Sequence, residues 1–122
     1  MNRTVFITGG ANGIGLASTR AFYSQGDQVV IADLDASAAG AAARELGERA
    51  MGVGIDVRDR LSTQDAFDQA LARFGRVDVV HANAGVSNMR KAIDLTEDDW
   101  DFNLNVNAKG VFLTDQIAVR YF

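Results

Sequence analysis

The stretch Thr8-Gly9-Gly10-Ala11-Asn12-Gly13-Ile14-Gly15 decides the fold. An apolar run at 4–7 enters it, and a segment with helical spacing leaves it, running from about Gly13 to Gln25 and exiting at Gly26. A glycine at the end of a strand permits a tight turn, and glycines nearer a helix let backbone approach backbone closely. The first turn of the helix then presents N–H groups with no internal acceptor, at the positive end of its dipole. Such a turn can hold a phosphate without a lysine. The spacing of Gly9, Gly13 and Gly15 differs from the commoner GxGxxG. The pattern by itself therefore leaves a ligand-free strand-to-helix turn as the alternative.

Outward from this turn, apolar runs of strand length recur at 4–7, 28–32, 51–55 and 77–81, each followed by a helical pattern. In the first helix Ile14, Ala17, Ala21 and Phe22 form the expected inner stripe. The second, alanine-rich, spans about 36–46 and stops at Gly47. The third starts at Asp59 or Ser62, places Phe67, Ala70, Leu71 and Phe74 on one face, and stops at Gly75. Strands apolar on both faces, separated by amphipathic helices, belong to a parallel sheet covered on both sides with right-handed crossovers. The expectation is a doubly wound α/β fold in a single domain over 1–122. Beyond Gly85 the stretch 86–95 is polar and irregular. Thr96 then caps a helix with Asp99 at its third position, and the rest to Phe122 reads as one bent helix or two.

Composition narrows the function. Apolar residues make up 48% of the chain and charged residues 23%, the balance of an ordinary globular protein rather than a disordered or membrane one. The net charge of −4, with no run of Lys and Arg, argues against nucleic acid as a partner. Without cysteine there is no disulfide or thiolate site, and one histidine offers little to a metal. No apolar run reaches the roughly 18 residues of a membrane span, so the expected setting is the cytoplasm.

Several residues have two readings. Asp33, just past the second strand, is either a ligand for ribose hydroxyls or a turn residue ahead of the second helix, for which Asp35 is the better cap. Asp56 after the third strand is by itself a helix cap. Asn107 is a mediocre mid-helix residue, which fits a helix break or a water site. His81 reads as a packed strand residue, and Glu97, Asp98 and Asp99 as favourable charge at a helix start.

Taken together, TGGANGIG resembles the TGxxxGxG fingerprint of the short-chain dehydrogenase/reductase family. The resemblance implies a Rossmann-type sheet, here about four strands in the order 3-2-1-4. It also implies a cofactor site formed by Gly9, Asn12, Gly13, Ile14, Gly15, Asp33, Leu34, Asp56, Val57, Asn83, Ala84 and Gly85. Asp33 would take the adenosine ribose and repel a 2′-phosphate, at about 4 kcal/mol per unit-charge pair 4 Å apart at ε of about 20. NAD is thus expected over NADP. Asn12 agrees, because NADP-selecting members usually carry a basic residue there. Asp56 matches the acid that bonds the adenine amino group, with Val57 packing on the ring. Asn83-Ala84-Gly85 resembles the family's NNAG, with Ala82 replacing the first Asn. Trp100 and the run Leu104 to Phe112 resemble the long-helix segment in which an Asn after Val distorts the helix and holds a proton-relay water. Asn107 is the match, and Asn103 and Asn105 read as solvated or structural.

The family's Tyr-x-x-x-Lys pair and its Ser are not in this sequence: neither Tyr23 nor Tyr121 has a lysine four residues on. The resemblance therefore implies the NAD-binding portion of an oxidoreductase moving hydride between NAD(H) and an alcohol or ketone, truncated and inactive alone. The alternatives are a non-catalytic nucleotide-binding module and an oligomerising scaffold. The fourth strand should form a sheet edge. The helix from about 106 to 122 should expose Val111, Phe112, Ile117, Val119 and Phe122, giving a homo-oligomer.

Overall fold

Strand β1 (Thr4–Thr8) is buried along its whole length because it has a strand on each side and a helical layer on each face. In the computed structural model, which describes residues 2–122, it is followed by α1 (Gly13–Ser24), β2 (Gln28–Asp33), α2 (Ala36–Leu46), β3 (Ala50–Gly54), α3 (Arg60–Phe74) and β4 (Val79–Ala82). The sheet is parallel, in the order β3-β2-β1-β4. This is the doubly wound α/β architecture that the strand–helix rhythm implies.

Alternation along the strands feeds two cores. Val29 and Ile31 face Ala39 and Ala43 of α2, with Phe22 and Tyr23 of α1 packed at the margin. Phe6, Val30 and Ala32 point the other way, onto Ala66, Phe67 and Ala70 of α3. The Phe6 and Phe67 rings lie 5.6 Å apart, tilted by 53°.

After β4 the chain runs irregularly to one 3₁₀ turn, Ala92–Asp94, and then α4 (Glu97–Leu104). A π-helical segment, Asn105–Lys109, joins α4 to α5 (Gly110–Tyr121), so the C-terminal stretch is one continuous helical path. Caps fall where the sequence places them. Asp35 accepts from the Ala38 amide, Asp59 from Leu61, and Thr96 and Asp99 form a reciprocal capping box. Ser62, the other candidate cap for α3, instead accepts a hydrogen bond from the Asp56 amide at 2.8 Å.

Two expected faces are corrected. The inner stripe of α1 is Gly15 and Thr19, with Phe22 half-buried, while Ile14 is 77% exposed and Ala17 and Ala21 are exposed. The spacing is helical but its phase is shifted, because α1 approaches β1 so closely that only Gly fits: a Cβ on Gly15 would overlap the Gly9 carbonyl. In α5, Leu113, Thr114, Ile117 and Ala118 are buried, Ile117 and Ala118 in the Phe6 core, leaving Phe112 and Val119 exposed and Val111 half-buried; Phe122, just past the helix, is exposed too. Strand β4 begins two residues later than the apolar run, since Val77 is buried ahead of the pairing. Among the described residues β4 pairs only with β1, and no helix is long and apolar enough to cross a membrane.

Candidate functional site

All four strands are parallel, so their carboxyl ends open on one side of the sheet. From β1 the chain first adds strands in one direction, to β2 and β3, and then crosses to the other side of β1 for β4. At such a switch point the flanking connections diverge and leave a crevice. A cleft lies there, lined by Gly9, Asn12, Asp33, Leu34, Ile55, Asp56, Val57, Arg58, Ala84, Gly85, Val86, Phe102 and Val106. Eight of the twelve residues expected to hold a cofactor are in this lining; Gly13, Ile14, Gly15 and Asn83 are not.

The glycine turn forms the first wall. Gly9 and Gly13 have φ of 65° and 54°, which an L side chain rarely tolerates. A Cβ on Gly9 would also come within 2.9 Å of the Ala84 Cα. The Gly10 amide donates to the Ala32 carbonyl and the Ala11 amide to Asp33 Oδ2, at 3.3 and 3.1 Å. Asn12 caps α1 in extended conformation, yet its side chain makes no capping bond, and no acid occupies the first turn. The other helices entered from loops, α2, α3 and α4, all have side-chain caps.

Asn83 stands behind this wall. Its Nδ2 donates toward the carbonyls of Thr8 and Gly9 at 3.2 and 3.3 Å, and its amide, with that of Ala84, donates to the Thr8 hydroxyl at 3.0 Å. Thr8, 1% exposed, thus joins the ends of β1 and β4. Sequence reading passed over this role, although a hydroxyl at the strand exit was visible in the motif.

Two carboxylates flank the cleft. Asp33 Oδ1 accepts from the Asp35 amide at 3.0 Å while Oδ2 holds Ala11, so its turn-forming and loop-holding bonds leave lone pairs on both oxygens. Asp56 is paired with Arg58, whose Nε and Nη2 reach Oδ1 and Oδ2 at 2.9 and 2.8 Å. The Arg58 side chain holds the Asp56 carboxyl below the usual carboxylate range against the opposing effect of burial. Arg58 and Phe102, on opposite sides of a cation–π contact 5.6 Å long, were not anticipated from sequence.

The last wall depends on Asn107. Its Oδ1 accepts from the Val86 amide at 2.8 Å and its Nδ2 donates to the Val86 carbonyl at 2.7 Å. The π-helical turn around it presents the side chain sideways to the loop that leaves β4. Gly85 lies under the same contact, where a Cβ would sit 3.2 Å from Oδ1. Further along, Asp99 gathers the loop by accepting from Asn88 Nδ2 at 2.6 Å and Arg90 at 3.4 Å, besides its capping bond to the Thr96 amide. Asn103 donates to the Asp99 carbonyl, and Asn105 is exposed, both structural or solvated. His81 is half-buried in β4, in register with Ile7 and outside the cleft lining.

Comparison with known proteins agrees with this geometry. The family model described as short chain dehydrogenase matches residues 3–122. The chain is 37% identical over 118 residues to a (2S)-[(R)-hydroxy(phenyl)methyl]succinyl-CoA dehydrogenase subunit of Thauera aromatica, covering 94% of this chain and 48% of the relative. It is 38% identical over 117 residues to a D-threitol dehydrogenase of Mycolicibacterium smegmatis, covering 93% and 45%. Among solved structures, a 3-ketoacyl-(acyl-carrier-protein) reductase from Brucella melitensis complexed with NADH superposes with a TM-score of 0.94 at 30% identity, covering 98% of this chain and 50% of that one. The chain belongs to the short-chain dehydrogenase/reductase family. It spans about half the length of the curated relatives it matches.

Proposed function

We propose that this chain is the NAD-binding portion of an oxidoreductase that moves hydride between NAD(H) and an alcohol or ketone. The observation that carries the reading is the pairing, across one cleft, of an uncapped helix start with a carboxylate whose lone pairs are partly free. The fit is supported by the glycine turn, since a Cβ on Gly9 or Gly15 would push against the Ala84 backbone or the Gly9 carbonyl and displace the amides that a pyrophosphate needs. When bound, the dinucleotide supplies the hydride acceptor or donor. The chain's own residues bind and orient. The turn from Gly9 through Asn12 to Gly15 offers amides to the phosphates, with Ile14 at its crest. Asp33, beside Leu34, accepts from the ribose hydroxyls, and Asp56 and Val57 take the adenine. Ala84 and Gly85, held by Asn83 from behind, admit the second ribose. The bound NADH of the Brucella melitensis reductase supports the choice of cofactor.

Asn107 lies on the catalytic side in this reading. Both ends of its amide are engaged by Val86, so a relay water would be taken by main-chain groups that the π turn has released from i→i−4 bonding. No Tyr-x-x-x-Lys pair lies in this sequence, so binding without turnover is expected of it. Self-association is part of the proposal. Trp100, Leu104, Phe112, Val119 and Phe122 are exposed apolar residues on α4, α5 and the C-terminus, and β4 has an open side. A clean monomer by light scattering at micromolar concentration would refute that part. The cytoplasmic setting belongs to the same proposal and is read by fractionation.

Calorimetric titration with NAD and NADP tests the whole. NAD should bind at least about tenfold more tightly, because Asp33 faces an added phosphate charge. Asp33→Ala should narrow that ratio. Binding of neither nucleotide sinks the cofactor reading, and an unchanged ratio sinks the role of Asp33.

A further inference from the structure

The two carboxylates of the cleft differ in their partners. Asp33 is held only by backbone amides, whereas Asp56 carries a guanidinium on both oxygens. A carboxylate oxygen has two acceptor positions. On Asp56, Oδ1 takes both the Nε and the backbone amide of Arg58, at 2.9 and 3.1 Å, and is filled. Oδ2 takes only Nη2, at 2.8 Å, and keeps one position open. The fork also fixes the plane of the carboxylate, because two parallel N–H bonds leave it no rotation. Arg58 is itself steadied by the Phe102 ring, and both side chains line the cleft. The pair is still reachable by a ligand, the side chains being 40% and 33% exposed.

We propose that Arg58 is a specificity-determining positioning residue for the purine base, aiming the one open acceptor of Asp56 at a 6-amino group and thereby selecting adenine over a 6-oxo purine. This rests on the reading of Asp56 as the adenine ligand. An amino group donates into the open position on Oδ2. A 6-oxo group brings an acceptor against an acceptor, a mismatch that a half-buried site does not tolerate. Asp56 is a carboxylate at neutral pH, its pKa held below the ordinary value by Arg58, and it therefore offers the 6-oxo base acceptors only. Without the Arg58 guanidinium only the backbone amide at 3.1 Å still holds Oδ1, so Oδ2 loses its fixed direction and is re-solvated, and the choice between bases fades.

The test compares this chain with Arg58→Ala and Arg58→Lys, titrating each with NAD and with nicotinamide hypoxanthine dinucleotide, and following thermal melting alongside. The unmodified chain should prefer NAD by about tenfold or more, the scale of one charge-assisted hydrogen bond. In Arg58→Ala the preference should fall to about twofold through weaker NAD binding, with the melt lowered only slightly because the pair is partly exposed. Lys, a point charge without the fork, should restore only part of it. Equal weakening toward both dinucleotides, with the ratio kept, would overturn this proposal alone and leave Arg58 as a general support. An unmodified chain that binds both equally would overturn the adenine role of Asp56 and this proposal with it.

Discussion

The two walls of the cleft are held by different forces. The wall formed by residues 8–15 rests on β1 and β2, whose central side chains are fully buried, and its shape is set by how closely backbone meets backbone. The wall formed by 84–110 rests on β4, half-buried throughout, and its shape is set by side-chain hydrogen bonds that reach across an exposed loop. A steric wall has no intermediate state, since a methyl group either fits or displaces the backbone. A polar wall can open locally while the sheet stays folded. The rigid wall thus suits a ligand group that needs fixed amides, and the looser wall can adjust around whatever else the cleft admits.

The largest effect expected from this contrast is that of Gly15→Ala. The added methyl would overlap the Gly9 carbonyl and crowd Asn83 Nδ2, and overpacking of this kind should cost about 2–3 kcal/mol of unfolding free energy. Gly40→Ala is the matched control, because in α2 the same methyl meets only the flexible end of Arg44 at 3.3 Å and should stabilise by about 0.5–1 kcal/mol. Chemical denaturation reads both; if the two variants shift alike, close approach is not what builds the first wall.

Asn107→Ala should act next, and locally. It removes both partners of Val86, which at a solvent-accessible site costs about 1–2 kcal/mol. The Val86 amide should exchange with deuterium roughly tenfold faster or more, while the amides of β1 keep their protection. Faster exchange across β1 in the same variant would mean that the walls are not separate units.

The smallest effect tests the joint between the walls at the far end of the sheet, where Asp78, just before β4, accepts from the Thr4 amide at 2.8 Å and pairs with Arg76. Arg76, and next the Thr4 amide, hold the Asp78 carboxyl below its ordinary value, overcoming burial. A carboxyl lowered on folding adds stability above its unfolded pKa of about 3.9, and that stability is lost as pH falls through the lower folded value. Acid unfolding should therefore steepen below about pH 4, and Asp78→Asn should flatten it while lowering stability slightly at pH 7. An unaltered acid limb would remove Asp78 from the joint and assign the slope to Asp56 and Asp99, both also lowered.

Much of this was legible along the chain. Gly9 and Gly13 announce themselves because their φ values exclude other residues, and Asp35, Thr96 and Asp99 because a cap acts on amides two or three residues away. Other features were not. Apolar spacing chose Ile14 and Ala17 for the inner face of α1, and the approach of the helix to β1 turned that face outward. The Arg58 fork was close in sequence to Asp56, but arginine two residues after an acid carries no signal until Phe102 and the cleft give it a fixed place.

The sequence by itself therefore determined the strand–helix order, the glycine turn, the caps and the family, because each rests on backbone conformation or on neighbours within one turn. Only the tertiary structure decided that Thr8 and Asn83 bind each other's segments across 75 positions, that Asn107 grips Val86 from a π turn, and that Ile117 faces inward. Those choices depend on which surfaces meet when the sheet closes, and that distance in space has no counterpart in distance along the chain.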